Sequence, residues 1–273
     1  MSEPLVSIVV PVYKGMPYLS ALVNSISQQT YRNVELIASV TPAGDGSEQV
    51  LRNAGFTVIE TPVGTTAADN WTIATNAATG EFTKLVCQDD VIYPQAISSQ
   101  VEDLQNNPEA VMASAQRDII DCQGRVLFRH RGLAGLPGSP IKGVAALRKT
   151  YTYGGNIFGE PLANLFPTEV LKSVMPWRDD NPLMLDLNTY AAVAPLGQIA
   201  LRHESVGAFR VSAQSWSTQI GRQQLQQTKQ WQVDYARVNF PGRIDRMRAL
   251  LGRHVQTTTR RAAYTYLSMR GVL

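Results

Sequence analysis

The sequence predicts an α/β fold: a mostly parallel, mixed sheet flanked by helices, followed by a helical C-terminal extension. Two observations predict the sheet. Short apolar, β-branched runs alternate with helical periodicity four times before residue 90, and each run ends in a polar or glycine-containing loop. A third predicts the extension, because beyond residue 215 the chain changes to long helical stretches rich in arginine. With 273 residues, 44% hydrophobic and 17% charged, the chain has ample material for a core, and disorder is excluded over most of its length.

The elements follow in order. Leu5–Pro11 reads LVSIVVP, a strand buried on both faces. Leu19, Leu22, Val23 and Ile26 recur at i, i+3, i+4, i+7 and define an amphipathic helix, with Pro17 suited to its first turn. Val34–Val40 is a second strand, followed by a Pro/Gly/Asp turn at 41–47 and a helix near 48–53. Phe56–Ile59 is a third strand, and Thr65–Ala78 a helix bracketed by Gly64 and Gly80. Phe82–Cys87 is the fourth strand and runs directly into Gln88-Asp89-Asp90. Such alternation implies parallel strands with right-handed crossovers, and in these sheets ligands bind beyond the carboxyl ends of the strands. The loops at 11–14, 41–47 and 88–90 all leave from that edge. The second half is less regular: strands at 111–114 and 126–129, a Gly/Pro loop at 132–140, a helix near 183–193, and two long helices at 216–240 and 244–267 parted by Pro241-Gly242. A division follows into 1–215, carrying the sheet and the site, and a basic helical extension, 216–273.

Charge and cysteine content exclude several classes. Residues 221–273 hold ten Arg and Lys against Asp234 and Asp245, so the rest of the chain is net acidic. Only Cys87 and Cys122 are present and they are far apart, which argues against a disulfide framework and suits a reducing cytoplasm. The apolar run near the N-terminus is too short for a signal peptide and lacks a basic flank. No apolar stretch approaches the ~20 residues that span a bilayer. Contact with a membrane, if any, is expected to be peripheral, at the inner surface.

Two adjacent carboxylates after an apolar strand are either a solvated turn or a site for a hard cation such as Mg²⁺ or Mn²⁺, which is commonly held by one or two carboxylates together with phosphate oxygens. The position of Asp89 and Asp90 at the ligand edge favours the second reading. Around this pair, SIVVPVY (7–13), SISQQTYRNVELI (25–37), DGS (45–47) and ATGEFTKLVCQDD (78–90) follow one another in an order that resembles family 2 glycosyltransferases of the GT-A (Rossmann-like) fold. NIFGEP (156–161) resembles a segment of some of these enzymes, and the likeness extends over about residues 5–210.

The resemblance implies an Asp-x-Asp motif whose last acid binds the metal. Here the triplet is Cys87-Gln88-Asp89, so it assigns the metal to Asp89 and places Asp90 behind it or at the donor sugar, while the first acid is absent. It also implies that Pro11, Val12 and Tyr13 pack on the nucleobase. Asp45 recognises the base if its loop folds back, although Asp-Gly is equally an ordinary turn signal. Asn70 is a further polar donor contact, beside Trp71. The segment 182–188 matches the stretch that carries the general base, which makes Asp186 the catalytic candidate. A carboxylate within an apolar run otherwise needs another reason, such as capping a helix. Asp179 and Asp180 are its rivals. Glu160 and Trp177 are candidate acceptor-site residues, and Ser212 stands where the family often has a metal-binding His.

The implied function is inverting transfer of a sugar from a UDP-, GDP- or dTDP-linked donor to a glycan or lipid-linked acceptor, with Mn²⁺ or Mg²⁺ as cofactor. A non-catalytic module of the same fold that only binds nucleotide sugar or glycan is the alternative, suggested by the missing first acid. A sugar-phosphate nucleotidyltransferase is disfavoured because no glycine-rich phosphate loop follows the first strand. For the basic tail three readings compete: a solvated face of docked helices, attachment to anionic lipid, and nucleic-acid binding, the last without any recognised module and not expected.

Overall fold

The computed structural model describes residues 3–212, 223–269 and 271. Strand β1 (Val6–Tyr13) sits between β2 (Val34–Thr41) and β4 (Phe82–Leu85), parallel to both, and β3 (Thr57–Glu60) pairs in parallel outside β2. The remaining strands are β5 (Val91–Ile92), β6 (Ala110–Ile120), β7 (Val126–Arg131), β8 (Ile141–Lys142), β9 (Asn164–Pro167) and β10 (Gln198–Arg210). They continue the sheet in the order β3-β2-β1-β4-β9-β6-β10-β5, with β7 on β6 and β8 on β10. The sheet is mixed, since β9 runs antiparallel to both β4 and β6.

Among the described residues, seven helices accompany these strands: α1 (Leu19–Ser27), α2 (Ser47–Asn53), α3 (Ala67–Asn76), α4 (Ala96–Gln105), α5 (Gly143–Tyr153), α6 (Thr168–Ser173) and α7 (Leu185–Val193). Two more, α8 (Gln224–Asn239) and α9 (Arg243–Met269), follow near the C-terminus. The start of the helix expected at 216–240 lies outside the described residues, as does the division at 215/216.

The period-2 geometry of β1 explains why the sheet has two cores. Val6, Ile8, Val10 and Val12 enter one cluster with Leu19, Leu22, Leu51 and Ile97, beneath α1, α2 and α4. Val9 enters the other with Ala68, Leu147, Leu187 and Tyr190, beneath α3, α5 and α7. Trp231 of α8 and Ala249 of α9 belong to this second cluster, so the two C-terminal helices share the core of the sheet domain.

Several expected elements are longer or shorter than their patterns. β1 continues through Val12 and Tyr13 in parallel register with β2, and Pro11, which lacks an N–H, is tolerated because it faces the β4 side, where pairing ends at Val9–Leu85. The fourth strand stops at Leu85, after which the chain turns through 86–90. The helix expected at 65–78 spans 67–76, with Thr66 as N-cap: its Oγ1 accepts from the Asp69 backbone N–H at 3.1 Å. Lys84 is a surprise on β4. It is fully buried, and its ammonium donates to Gln100 Oε1 (2.6 Å), Leu162 O (2.6 Å) and Asn164 O (3.3 Å). Burial lowers its pKa to about 7, and three acceptors satisfy its three protons, so it acts as a polar rivet joining β4, α4 and β9.

Candidate active site

The carboxyl edge of the parallel strands carries the loops that the sequence singles out, and hydrogen bonds bind those loops to one another. Asp45 does fold back. Its Oδ2 accepts from the Met16 backbone N–H (3.3 Å) and from Ser47 Oγ (2.8 Å), while Gly15 N–H donates to Ser47 Oγ (3.2 Å). These bonds outweigh burial and lower the Asp45 pKa. Asn70 is buried, and its amide donates to Val12 O and Thr41 Oγ1, both at 3.1 Å, tying the ends of β1 and β2 together. Its Oδ1 is buried without a partner.

Pro11 and Val12 are buried within the sheet, whereas Tyr13 is 53% exposed, with the Lys14 ammonium 5.2 Å from its ring centre. Gln88 holds Tyr13 in place: its Oε1 accepts from Tyr13 N–H (2.6 Å) and its Nε2 donates to Tyr13 O (2.7 Å). The side-chain amide thereby acts as a one-residue strand partner beyond the last β1–β4 backbone pair.

Asp89 and Asp90 follow in the turn after β4. Asp90 is 1% exposed; its Oδ1 accepts from the Arg210 backbone N–H (3.1 Å) and its Oδ2 has no partner. Asp89 is half-buried, and among the described residues only its own backbone N–H donates to its carboxylate. Arg210 contributes to the turn through carbonyls, with Nε donating to Asp89 O at 2.8 Å and Nη1 to Asp121 O at 3.0 Å, and its guanidinium lies 4.7 Å from the Tyr18 ring centre. Burial pushes both carboxyls up, Asp90 further because Asp89 stands beside it, and Arg210 offsets only part of this. Two crowded oxygen ligands with an orphaned lone pair are what a hard divalent cation relieves. Among the described residues no group of three or more His, Cys, Asp or Glu side chains is arranged to hold a metal. A cation here would therefore take most of its ligands from phosphate oxygens and water. Ser212, just beyond β10, is buried.

Asp186 opens the first turn of α7. Its Oδ1 accepts from the Leu187 backbone N–H (2.7 Å) and its Oδ2 from Asn156 Nδ2 (2.8 Å), which also donates to Gly159 O (3.0 Å). Burial, with the Glu160 charge next, pushes its pKa up to about 7. Glu160 forms an ion pair with Arg117, which is 9% exposed, and that pairing overrides the upward push of burial on the Glu160 carboxyl. Gly159 is required beneath the pair: at φ +77° a Cβ would stand 2.8 Å from Arg117 Cζ.

Cys87 relates the two halves of the site. Burial raises its thiol pKa, and the charges of Asp90, Asp89, Asp186 and Glu160 raise it further. Carboxylates of the β4 turn, the loop before β9 and α7 thus all act on the charge state of one side chain. A carboxylate at position 87 would be a fifth negative charge in the same field.

Other expectations are redistributed. Asp179 and Asp180 are exposed, and Asp180 pairs with Arg178 at 2.8 Å, whereas Asp186 is held by Asn156 and the Leu187 backbone. Trp177 requires a correction. It is 2% exposed, donates from Nε1 to Thr75 Oγ1 (2.9 Å) and meets Trp71 edge-on at 5.1 Å. It is a core residue with no face to offer a sugar, because its indole is consumed in seating the chain before α7 against α3. Gln88, Asn156, Arg117 and Arg210 carry site geometry that residue type alone does not signal. All but Arg117 lie in or beside the segments that suggested the site.

A mixed sheet of this topology, flanked by helices and with its loops gathered at the carboxyl edge of the parallel strands, is an α/β arrangement of the GT-A type. The chain belongs to glycosyltransferase family 2: the family model described as Glycosyl transferase family 2 matches residues 7–159. An uncharacterized glycosyltransferase of Rickettsia typhi is 29% identical over 130 residues, 46% of this chain and 40% of that protein. Glycosyltransferase GlyG of Streptococcus pneumoniae is 26% identical over 137 residues, 48% of this chain and 45% of that protein. The matched region thus spans less than half the length of these curated relatives. Among solved structures, the mannosyltransferase PcManGT from Pyrobaculum calidifontis in complex with GDP-Man and Mn²⁺ shares the fold with a TM-score of 0.63 at 15% identity, over 100% of this chain and 77% of that one. S. aureus TarS 1–349 does so with a TM-score of 0.63 at 16% identity, over 92% of this chain and 72% of that one.

Proposed function

We propose that this chain is an inverting glycosyltransferase that moves a sugar from a nucleotide-diphosphate donor to a hydroxyl of a glycan or lipid-linked acceptor, with Asp186 as general base. The observation that carries the proposal is Asp186 itself. It is a half-buried carboxylate whose pKa is pushed up to about 7, oriented by Asn156 and, like Asp89, felt by the Cys87 thiol. A base poised near neutrality can take the acceptor proton as the hydroxyl attacks the anomeric carbon, without a covalent intermediate. Tyr13 offers a flat face to the nucleobase, and Asp45 and Asn70 hold the loops around it. Asp89 would hold Mn²⁺ or Mg²⁺ with the donor's phosphates, and Asp90 would brace it from behind. Such an ion neutralises charge on the departing nucleoside diphosphate. Glu160, neutralised by Arg117, lines the acceptor side.

A thermal-shift screen of UDP-, GDP- and dTDP-linked sugars with and without Mn²⁺ tests this reading. A metal-dependent stabilisation by one donor, accompanied by its slow hydrolysis, is the expected result. Stabilisation with no hydrolysis or transfer would favour the non-catalytic binder that the acid-less Cys87 suggests; no stabilisation would reject both.

The partner surface follows from α9. Ile244, Met247, Leu251 and Val255 are 49–66% exposed and recur at helical spacing on one face, with Arg243, Arg248 and Arg261 along the same helix. No described helix is long and apolar enough to cross a membrane, whereas an apolar stripe edged by arginines suits an anionic lipid surface. The protein is expected to float with phosphatidylglycerol vesicles and not with phosphatidylcholine, and Met247→Glu/Leu251→Glu to stay behind. Failure of the intact protein to float removes the lipid contact; a stripe-dependent dimer instead would reassign the face.

A further inference from the structure

The opposite face of α9 reaches the active site, and what it delivers there is an arginine. Asp245, Ala249, Gly252, Gln256 and Arg260 recur at three- and four-residue intervals, so they share one side of the helix. The first three dock on α5. Asp245 pairs with Arg148 at 2.7 Å, Ala249 is buried, and Gly252 meets the end of α5 so closely that a Cβ would lie 2.2 Å from Thr152 O. Across the same crossing a Cβ on Gly154 would lie 2.3 Å from Arg253 N, and Gly155 faces Gln256. From this fixed crossing the helix runs along the segment that leads to Asn156 and Glu160.

Arg260 lies two turns beyond the crossing. It is exposed to solvent, and among the described residues it makes no ion pair or hydrogen bond. The charged groups it feels are Tyr264 on its own helix, and Glu160, Arg117 and Asp186 from the site. Glu160 feels Arg260 in return. Arg260 does not figure among the influences on Asp89 or Asp90, where Arg210 is the cation. Arg117 is consumed by Glu160 and Arg210 by carbonyls, so Arg260 is the free guanidinium of the described site, on the side of the base and away from the metal turn.

We propose that Arg260 is an anion subsite for the acceptor, and that the hydroxyl activated at Asp186 belongs to a molecule bearing a phosphate or diphosphate near that hydroxyl. An unpaired guanidinium offers paired N–H donors that match phosphate oxygens, and its place beside Asp186 puts the anion close to the reacting hydroxyl. The proposal rests on the glycosyltransferase reading above for the identity of the hydroxyl, but the anion site itself does not.

Calorimetry on the intact protein tests it, with the donor site filled by the nucleoside diphosphate found in the screen plus Mn²⁺. The probes are sn-glycerol 3-phosphate, geranyl diphosphate as a lipid-linked mimic, and glycerol as the neutral control. Wild type is expected to bind at least one phosphorylated probe and not glycerol. Arg260→Gln should weaken that binding about tenfold or more, Arg260→Lys by less, and Arg52→Gln, an exposed arginine on α2 paired with Glu60, not at all. The tighter of the two probes names the source of the phosphate. Unchanged binding in Arg260→Gln with unchanged thermal stability, or no saturable binding of either probe by wild type, overturns the proposal. If no nucleotide binds, the glycosyltransferase reading fails separately, and the phosphate titrations, run without nucleotide, still decide the subsite.

Discussion

Asp186 gains its chemistry from being short of solvation. Its two backbone and side-chain donors stabilise the charged form, yet burial and the neighbouring Glu160 charge prevail and the pKa stands near 7, against 3.8 for an ordinary aspartate. The sign of the stability effect follows. Between those two values the folded chain keeps a proton that the unfolded chain releases, so Asp186 costs nothing at acidic pH and subtracts stability as pH rises through the window up to about 7. Asp186→Asn should therefore melt close to wild type near pH 4 and above it at pH 8, which thermal scans across pH will check. The same substitution should lower turnover by ~10²-fold or more while leaving nucleotide affinity intact, and kcat/KM of wild type should rise with pH to a midpoint near 7. Near-normal turnover of the variant would move the base elsewhere. Trp177→Ala should behave in the opposite way. Loss of its buried indole costs about 3–5 kcal/mol of stability, with no specific loss of acceptor affinity in the protein that remains folded. Asp186 was legible because an acid within the apolar run Leu183–Leu187 needs a reason. Trp177 was misleading because an aromatic beside charged residues reads alike whether it covers a sugar or fills a core, and only the Thr75 and Trp71 contacts decide.

At the scale of elements, β1 was legible because a strand buried on both faces is largely apolar, as residues 8–12 are, and β4 because its apolar ends outweigh the buried Thr83 and Lys84 between them. The ends of β1 and β4 were less so, since pairing with neighbours decides them. β10 was not visible at all: its thirteen residues include Arg202, His203 and Glu204, which a bulged, partly exposed strand accommodates. The docking of α9 was equally hidden. Its sequence reads as a basic amphipathic helix, and the decisive residues are two glycines with no pattern of their own. The crossing gives a prediction at this scale. Gly252→Ala places a methyl group against α5 backbone, and overpacking of this kind costs about 1–3 kcal/mol, a fall in melting temperature of roughly 2–4 °C per kcal/mol in a chain of this size. An unchanged melting temperature would show that α9 is not held at this crossing.

Across the whole molecule, the candidate site is assembled from segments that the chain order keeps far apart: the turn after β4, the loop before β9 and the start of α7. In the proposed reading the parallel half of the sheet takes the nucleotide and the mixed half faces the acceptor, and the C-terminal helices share a core with both halves. That arrangement divides labour between Asp89 for the donor and Asp186 for the reaction. Calorimetric titration of the preferred nucleoside diphosphate into wild type, Asp89→Asn and Asp186→Asn, with and without Mn²⁺, tests the division most directly. Metal-dependent binding that survives in Asp186→Asn and disappears in Asp89→Asn is the predicted result; metal-dependent affinity in Asp89→Asn equal to wild type would contradict it.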